Sequence, residues 1–175
     1  LFLKKLINKE KIMSDVNAAN KNDTNKNDIM AQNRKVLINA QYVKDLSFEN
    51  PGAPQTLVSK GEAPEIDISV DIQVNGLQDK IYEVNLIIAA NAKVKDKPLF
   101  VAEVSYGGVF SVDVPENEKE AVLMIYCPGM LFPFARRIIA DATRDGGFPP
   151  LMLDPIDFAS LFQQHKAQSN KKSAN

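Results

Sequence analysis

A single cysteine, Cys127, and a single histidine, His165, are the side chains here most suited to nucleophilic or general-base chemistry. One of each cannot fill the four-ligand Cys/His set of a structural zinc site, and one cysteine forms no intrachain disulfide. That usage fits a reducing compartment. Cys127 ends an apolar run and precedes Pro128, which is the setting of a core cysteine rather than a nucleophile. His165 lies in a polar segment, so neither a Ser–His nor a Cys–His pair has a base. No catalytic residue, metal or cofactor is expected.

The carboxylates and glycines give the same answer. Asp45 and Glu49 fall on one face of an alternating strand, about 13 Å apart at roughly 3.3 Å per residue. A retaining glycosidase needs about 5.5 Å. Gly107-Gly108 is followed by no G-x-G-x-x-G or Gly-Lys-Ser/Thr pattern, so no phosphate loop and no ATP site is read. Arg136-Arg137 could take an anion, but a solvated helix face or an interface is the simpler reading. Binding surface is what remains.

The net charge of −1 hides a strong asymmetry. Residues 1–36 carry eight basic and four acidic side chains, and residues 163–175 carry three lysines and no acids. Residues 37–162 carry ten basic and eighteen acidic side chains. So acidic a middle is a poor match for a phosphate backbone and suits a basic partner, though solubility alone also explains it. Nucleic acid is not an expected partner. Residues 1–7 have lysines inside them and no long apolar core, which argues against a secretory signal; Met13 and Met30 are candidate starts. No apolar run approaches the roughly 20 residues of a membrane span, so stable membrane insertion is not expected.

Residues 17–28, NAANKNDTNKND, have little to bury and predict disorder. Four strands follow. Residues 38–49 alternate with Lys44 and Val43 out of pattern, and residues 65–74 alternate without a fault. Residues 80–93 and 99–112 complete the set. Asn75-Gly76 predicts a turn, and Gly107-Gly108 a bulge or bend. Residues 50–63 hold Pro51, Gly52, Pro54 and Gly61 and read as a long crossing loop.

The chain is organised around residues 126–155. The sequence predicts a buried helix end at residues 121–126, a break at Pro128-Gly129, and a second helix with Pro133 in its first turn. Gly146-Gly147 stops that helix, and Phe148-Pro149-Pro150 must run extended. Asp154-Pro155 caps a last short helix. Residues 121–126 are apolar on every side, and one small sheet covers one side only. Either a second copy of the chain covers the other, or the second helix and the Phe-Pro-Pro segment do so within one chain. The crossing loop and residues 146–153 could flank a groove lined by Phe48, Phe100, Phe134, Phe148 and Leu151, unless those side chains are core. Such a groove accepts extended, apolar, preferably basic segments.

Three stretches carry a resemblance. They are CPGMLFPFARRIIADATRDGGFPPLMLDPIDFASLF at residues 127–162, YVKDLSFENPGAP at residues 42–54 and LFVAEVSYGGVFSV at residues 99–112. In this order they resemble the SecB-type protein-export chaperones. The resemblance implies an α+β fold: a four-stranded antiparallel sheet with helices packed on one face, assembled as a dimer of dimers. It implies a cytoplasmic, ATP-independent homotetramer that holds unfolded precursor proteins and delivers them to the SecA motor. The SecA-binding positions it implies are Asp45, Glu49, Val101 and Glu103, with Val101 where the family often has leucine. The domains expected are an N-terminal extension (1–36), a chaperone domain (37–162) and a polar tail (163–175). The rival readings are a SecB-like chaperone or regulator dedicated to another partner, such as a toxin–antitoxin system, and a small-molecule enzyme using the same cavity.

Overall fold

The computed structural model describes residues 35–58, 63–95 and 97–172. The Asn-rich stretch 17–28 and both candidate starts lie outside the described residues. Four long strands, β1 (Lys35–Glu49), β2 (Glu65–Gln78), β3 (Ile81–Val94) and β4 (Lys97–Asp113), form one sheet in the order β1-β4-β3-β2. A short helix α1 (Gln55–Val58) follows β1. The β2–β3 and β3–β4 pairs are antiparallel, with Ser69 opposite Ala89 and Ala89 opposite Glu103.

Alternation decides which side each strand buries. On β3, Val84, Leu86, Ile88 and Ala90 have no exposure, and on β4 Ala102, Val104 and Phe110 have none. All lie on the helix side. A fully buried Leu, Ile, Val or Phe contributes about 1.5–3 kcal/mol, so these two central strands anchor the fold. The β2–β3 turn comes later than Asn75-Gly76 predicts. The strand runs on to Gln78 through a register shift between Gly76 and Gln78, and Lys80 takes the left-handed turn position at φ 57°.

One continuous helix covers the sheet, made of α2 (Glu116–Ala121), a π turn (Val122–Tyr126) and α3 (Cys127–Asp145). Pro128-Gly129 predicts a break, and the chain widens a turn instead. The Cys127 N–H donates to the carbonyl of Val122, five residues back. Proline has no N–H and its ring crowds the carbonyl four residues back, and the wider turn absorbs both. Pro133 sits inside α3, not at a helix start. The helix Glu116–Asp145 has 30 residues and is apolar enough, by length and composition, to cross a bilayer. That corrects the expectation that no such run exists. Leu123, Cys127, Leu131, Ala135, Ile138 and Ile139 are buried in the core with the sheet residues, as on a core helix.

The helix ends at Gly146, and Gly147 takes φ 89°, where other residues are strained. A last helix, α4 (Phe158–Lys172), is capped by Asp157 rather than Asp154. The Ser160 N–H donates to Asp157 Oδ1 at 3.0 Å, and the Ser160 hydroxyl to Oδ2 at 2.7 Å. These bonds hold the Asp157 carboxyl below the ordinary range. The helix also runs well past Phe162.

Candidate binding groove and open sheet face

A groove of about 820 Å³ lies at one end of the molecule. One wall is Pro51, Gly52, Gln55 and Thr56 from the crossing loop; another is Phe148, Pro149, Pro150 and Leu151. Ile66, Val94, Pro98, Leu99 and Phe100 line the strand ends between them. The lining is predominantly apolar.

Local chemistry holds these walls. Buried Thr143 accepts the Leu151 N–H on its hydroxyl at 2.9 Å, and its carbonyl accepts the Phe148 N–H at 3.1 Å. The two bonds fold the Phe-Pro-Pro-Leu segment back onto α3. On the loop side, Asn50 Nδ2 donates to the Gly146 carbonyl at 3.3 Å. The Phe48 ring occupies the space a side chain at Gly146 would need, so a glycine is required for this close approach. Phe48 stacks on Phe100 at 5.7 Å between centroids, and Phe100 meets Phe148 at 4.9 Å. Thus Phe48, Phe100, Phe148 and Leu151 come together, with Phe48 behind the lining. Phe134 does not join them. It stacks on Tyr106 at 5.9 Å and is 43% exposed, away from the groove. Its fourfold spacing with Ile138 fits the buried stripe, but it lies at the stripe's edge.

The other face of the sheet carries no helix. Gly107 is on this face, and a Cβ there would come within 2.8 Å of the Tyr42 ring and 2.9 Å of Asn85 Oδ1. Gly107 is therefore no bulge. The β3–β4 register runs unbroken through Asn85–Gly107 and Val84–Gly108. What glycine supplies is room for Tyr42 to cross β4 and reach β3. There its hydroxyl donates to Glu83 Oε1. Lys44 Nζ donates to the same oxygen at 2.9 Å, and Asn75 Nδ2 to Oε2 at 3.0 Å. Asn85 Oδ1 lies buried beside this cluster with no hydrogen-bond partner among the described residues.

Glu83 is only 9% exposed, and burial alone would favour its neutral form. Three donors outweigh that. The Tyr42 hydroxyl, then Lys44, then Asn75 hold the carboxyl down at about 2, and the hydrogen bond to Glu83, with burial, pushes the Tyr42 phenol up to about 12. Neither group changes charge near neutral pH, so the cluster is a fixed cross-strand tie. Cys127 is buried and its thiol is pushed up to about 12 by burial, the opposite of an activated nucleophile.

The tie reveals that β1 does not keep one face. Asn39 bonds Ser111 on the helix-free face, and Tyr42 lies over Gly107 on that same face, three residues later. The in–out alternation of β1 is therefore broken once between Asn39 and Tyr42. Phe48, even-numbered like Tyr42, is on the helix side against Phe100. A second inversion therefore lies between Lys44 and Phe48. Simple alternation through residues 38–49, with Tyr42 on the buried face, is corrected by these contacts. No local composition marks an inversion in an edge strand; Lys44 and Val43, out of pattern, were its only trace.

Asp45 and Glu49 are exposed on β1, Glu103 is exposed and Val101 half-buried on β4. Val101 stands opposite Asn91 and Glu103 opposite Ala89, both on the helix-free face. Among the described residues Asp45, Glu49 and Glu103 form no ion pair, while Lys44 beside Asp45 is held by Glu83. The sequence did not single out Glu83, Asn75 or Gly107 for this role. The period-2 pattern does put Glu83 on the less apolar face of β3, which was the available signal.

Comparisons with known proteins agree with this architecture. The family described as "Preprotein translocase subunit SecB" matches residues 30–169. The chain is 56% identical over 135 residues to the protein-export protein SecB of Parvibaculum lavamentivorans, covering 77% of this chain and 80% of that protein. It is 50% identical to the protein-export protein SecB of Maricaulis maris, covering 82% and 83%. It is 44% identical to that of Rhodospirillum centenum, covering 87% and 92%. Among solved structures it is similar in fold to the Mycobacterium tuberculosis Rv1957 SecB-like chaperone in complex with a ChAD peptide from the Rv1956 HigA1 antitoxin. There the TM-score is 0.59 at 16% identity, over 70% of this chain and 91% of that one. With such identities over most of its length, the chain belongs to the SecB family of protein-export chaperones, which are not enzymes.

Proposed function

We propose that this chain is an ATP-independent holding chaperone that works in the cytoplasm, binds unfolded precursor proteins, keeps them competent for translocation and passes them to SecA. The observation that carries the reading is a division of labour. An apolar groove opens among the aromatic side chains of the helix side, and the unpaired Glu103 carboxylate stands on the helix-free side, with Asp45 and Glu49 exposed on the edge strand β1. An extended, apolar client segment would lie in the groove, with Phe100, Phe148 and Leu151 as contacts. Asp45, Glu49, Val101 and Glu103 would dock a basic segment of SecA. Holding needs no covalent step, since many weak apolar contacts slow collapse of the client.

The working unit is residues 37–162 in a homotetramer, a dimer of dimers. Tyr126 at 52%, Phe134 at 43% and Met152 at 60% exposure support a second copy over this side. Four chains also multiply weak client contacts into avidity. Dedication to another partner, such as a toxin–antitoxin system, draws on a fold likeness at 16% identity, whereas relatives at 44% to 56% are export proteins. Export is the better-supported reading.

The test follows refolding of a denatured precursor in the presence of the purified chain, with native mass from light scattering. The expected result is about four chains per particle and retarded refolding. Phe148→Asp should lose the retardation and Glu103→Lys should keep it. A monomer that leaves refolding unchanged would sink the proposal.

A further inference from the structure

The strand register carries the helix-free face beyond β4. Glu103 stands opposite Ala89, and Ala89 opposite Ser69 on β2. Two residues along, Ser105 stands opposite Ile87, and Ile87 opposite Asp71. Two residues the other way, Val101 stands opposite Asn91, and Asn91 opposite Asp67. Cross-strand partners, and residues two apart in one strand, share a face. Glu103, Asp71 and Asp67 therefore look out on the same side, with the half-buried Ala89, Ile87 and Val101 as an apolar floor beside them.

The acids of β2 differ in what answers their charge. Glu65 and Asp67 share the Lys93 ammonium, at 3.4 and 3.6 Å. Asp71 is exposed and forms no ion pair among the described residues; its one neighbour is the Gln73 amide, which donates to Oδ2 at 3.4 Å. Asp71 and Glu103 are thus two uncompensated carboxylates on one face. Two strand spacings of about 4.8 Å and two residues of roughly 3.3 Å put their Cα atoms about 12 Å apart. An extended chain covers that span in about three to four residues. We propose that Asp71 is a second charged anchor of the docking surface, and that a basic, extended segment of SecA crosses the strands over Ala89 with one cation at Glu103 and another at Asp71. This rests on the docking role proposed for Glu103. Charge complementarity and spacing specify the occupant: basic residues three or four positions apart, with small or apolar residues between them.

The experiment measures binding of purified SecA to the full-length chain and four variants, with thermal unfolding and native mass as folding checks. Glu103→Lys tests the docking role itself. Asp71→Asn should weaken binding about two- to fivefold at low salt, and Asp71→Lys about tenfold, both less at high salt. Asp67→Asn removes the same unit of charge from the same strand, but from a carboxylate that Lys93 already answers, and should change binding by less than about twofold. The conservative Asp71→Asn carries the test if Asp71→Lys fails to fold.

If the parent does not bind SecA, or Glu103→Lys binds unchanged, the docking role falls. If Glu103→Lys loses binding, two results each overturn the second anchor: unchanged binding by Asp71→Asn, or equal losses in Asp71→Asn and Asp67→Asn. Equal losses would mark the overall negative field of the face rather than a contact at Asp71.

Discussion

The two faces of one sheet are built on different physics. The helix side is held by apolar contact among Val84, Leu86, Ile88, Val104, Phe110 and Leu131, all without exposure. Such contact is non-directional and carries no titrating group. The helix-free side is held by a directional tie in which donors from β1 and β2 converge on one carboxylate of β3. The contrast shows how a sheet can leave a face open to a partner and still be rigid. The tie crosses all four strands through a gap that only Gly107 provides.

The first way to break this contrast is to damage the apolar side. Leu131 has no exposure, and Leu131→Ala should cost about 2–5 kcal/mol, read as a lower unfolding midpoint in denaturant. That loss should be nearly independent of pH between 3 and about 7.

A smaller loss follows from closing the gap on the open side. Gly107→Val puts side-chain carbon where the Tyr42 ring lies, and should cost about 1–3 kcal/mol. Combining it with Tyr42→Ala should cost less than the sum of the two, because both variants remove the same contact.

The pH dependence separates the faces further. Glu83 is held at about 2 in the folded chain against an ordinary 4.5. Its stabilising effect is complete above about 4.5 and is lost as pH falls toward about 2, because the unfolded chain takes up the proton first. Glu83→Gln should flatten stability over that window and leave the slope above pH 6 unchanged. A parent protein whose stability does not fall below pH 4.5 would contradict the tie.

The smallest stability effects are local. Asp157→Ala removes the α4 cap and should cost about 1 kcal/mol. Glu103→Lys, at an exposed and unpaired position, should change stability by no more than about 0.5 kcal/mol. Any larger effect there would mean that the carboxylate has a structural partner.

Much of the apolar side could be read from the sequence. Ile66, Ile68, Val70, Ile72 and Val74 alternate with the period of a strand, and β2 runs through all of them, with Val70, Ile72 and Val74 half-buried against the core and Ile66 and Ile68 exposed. The crossing loop and the Phe-Pro-Pro exit come together at the groove for a similar reason, since prolines and glycines restrict both segments. The open side was far less legible. Tyr42 looks apolar and reads as core, but its hydroxyl is anchored on a carboxylate two strands away in the sheet. A bulge changes the facing of every residue after it without changing composition. The Gly107-Gly108 pair and Pro128 show the same limit. Each signals a departure from regular backbone, yet the chain uses the first for close packing and absorbs the second in a π turn.

The central claim is that one side of the molecule holds clients while the other docks the export motor. Hydrogen–deuterium exchange of the full chain, bound in turn to an unfolded precursor and to SecA, tests it most directly. The account predicts that the precursor protects residues 51–56, 98–100 and 148–151, and that SecA protects residues 43–49 and 101–105 with the first set unchanged. Two footprints that coincide would contradict it.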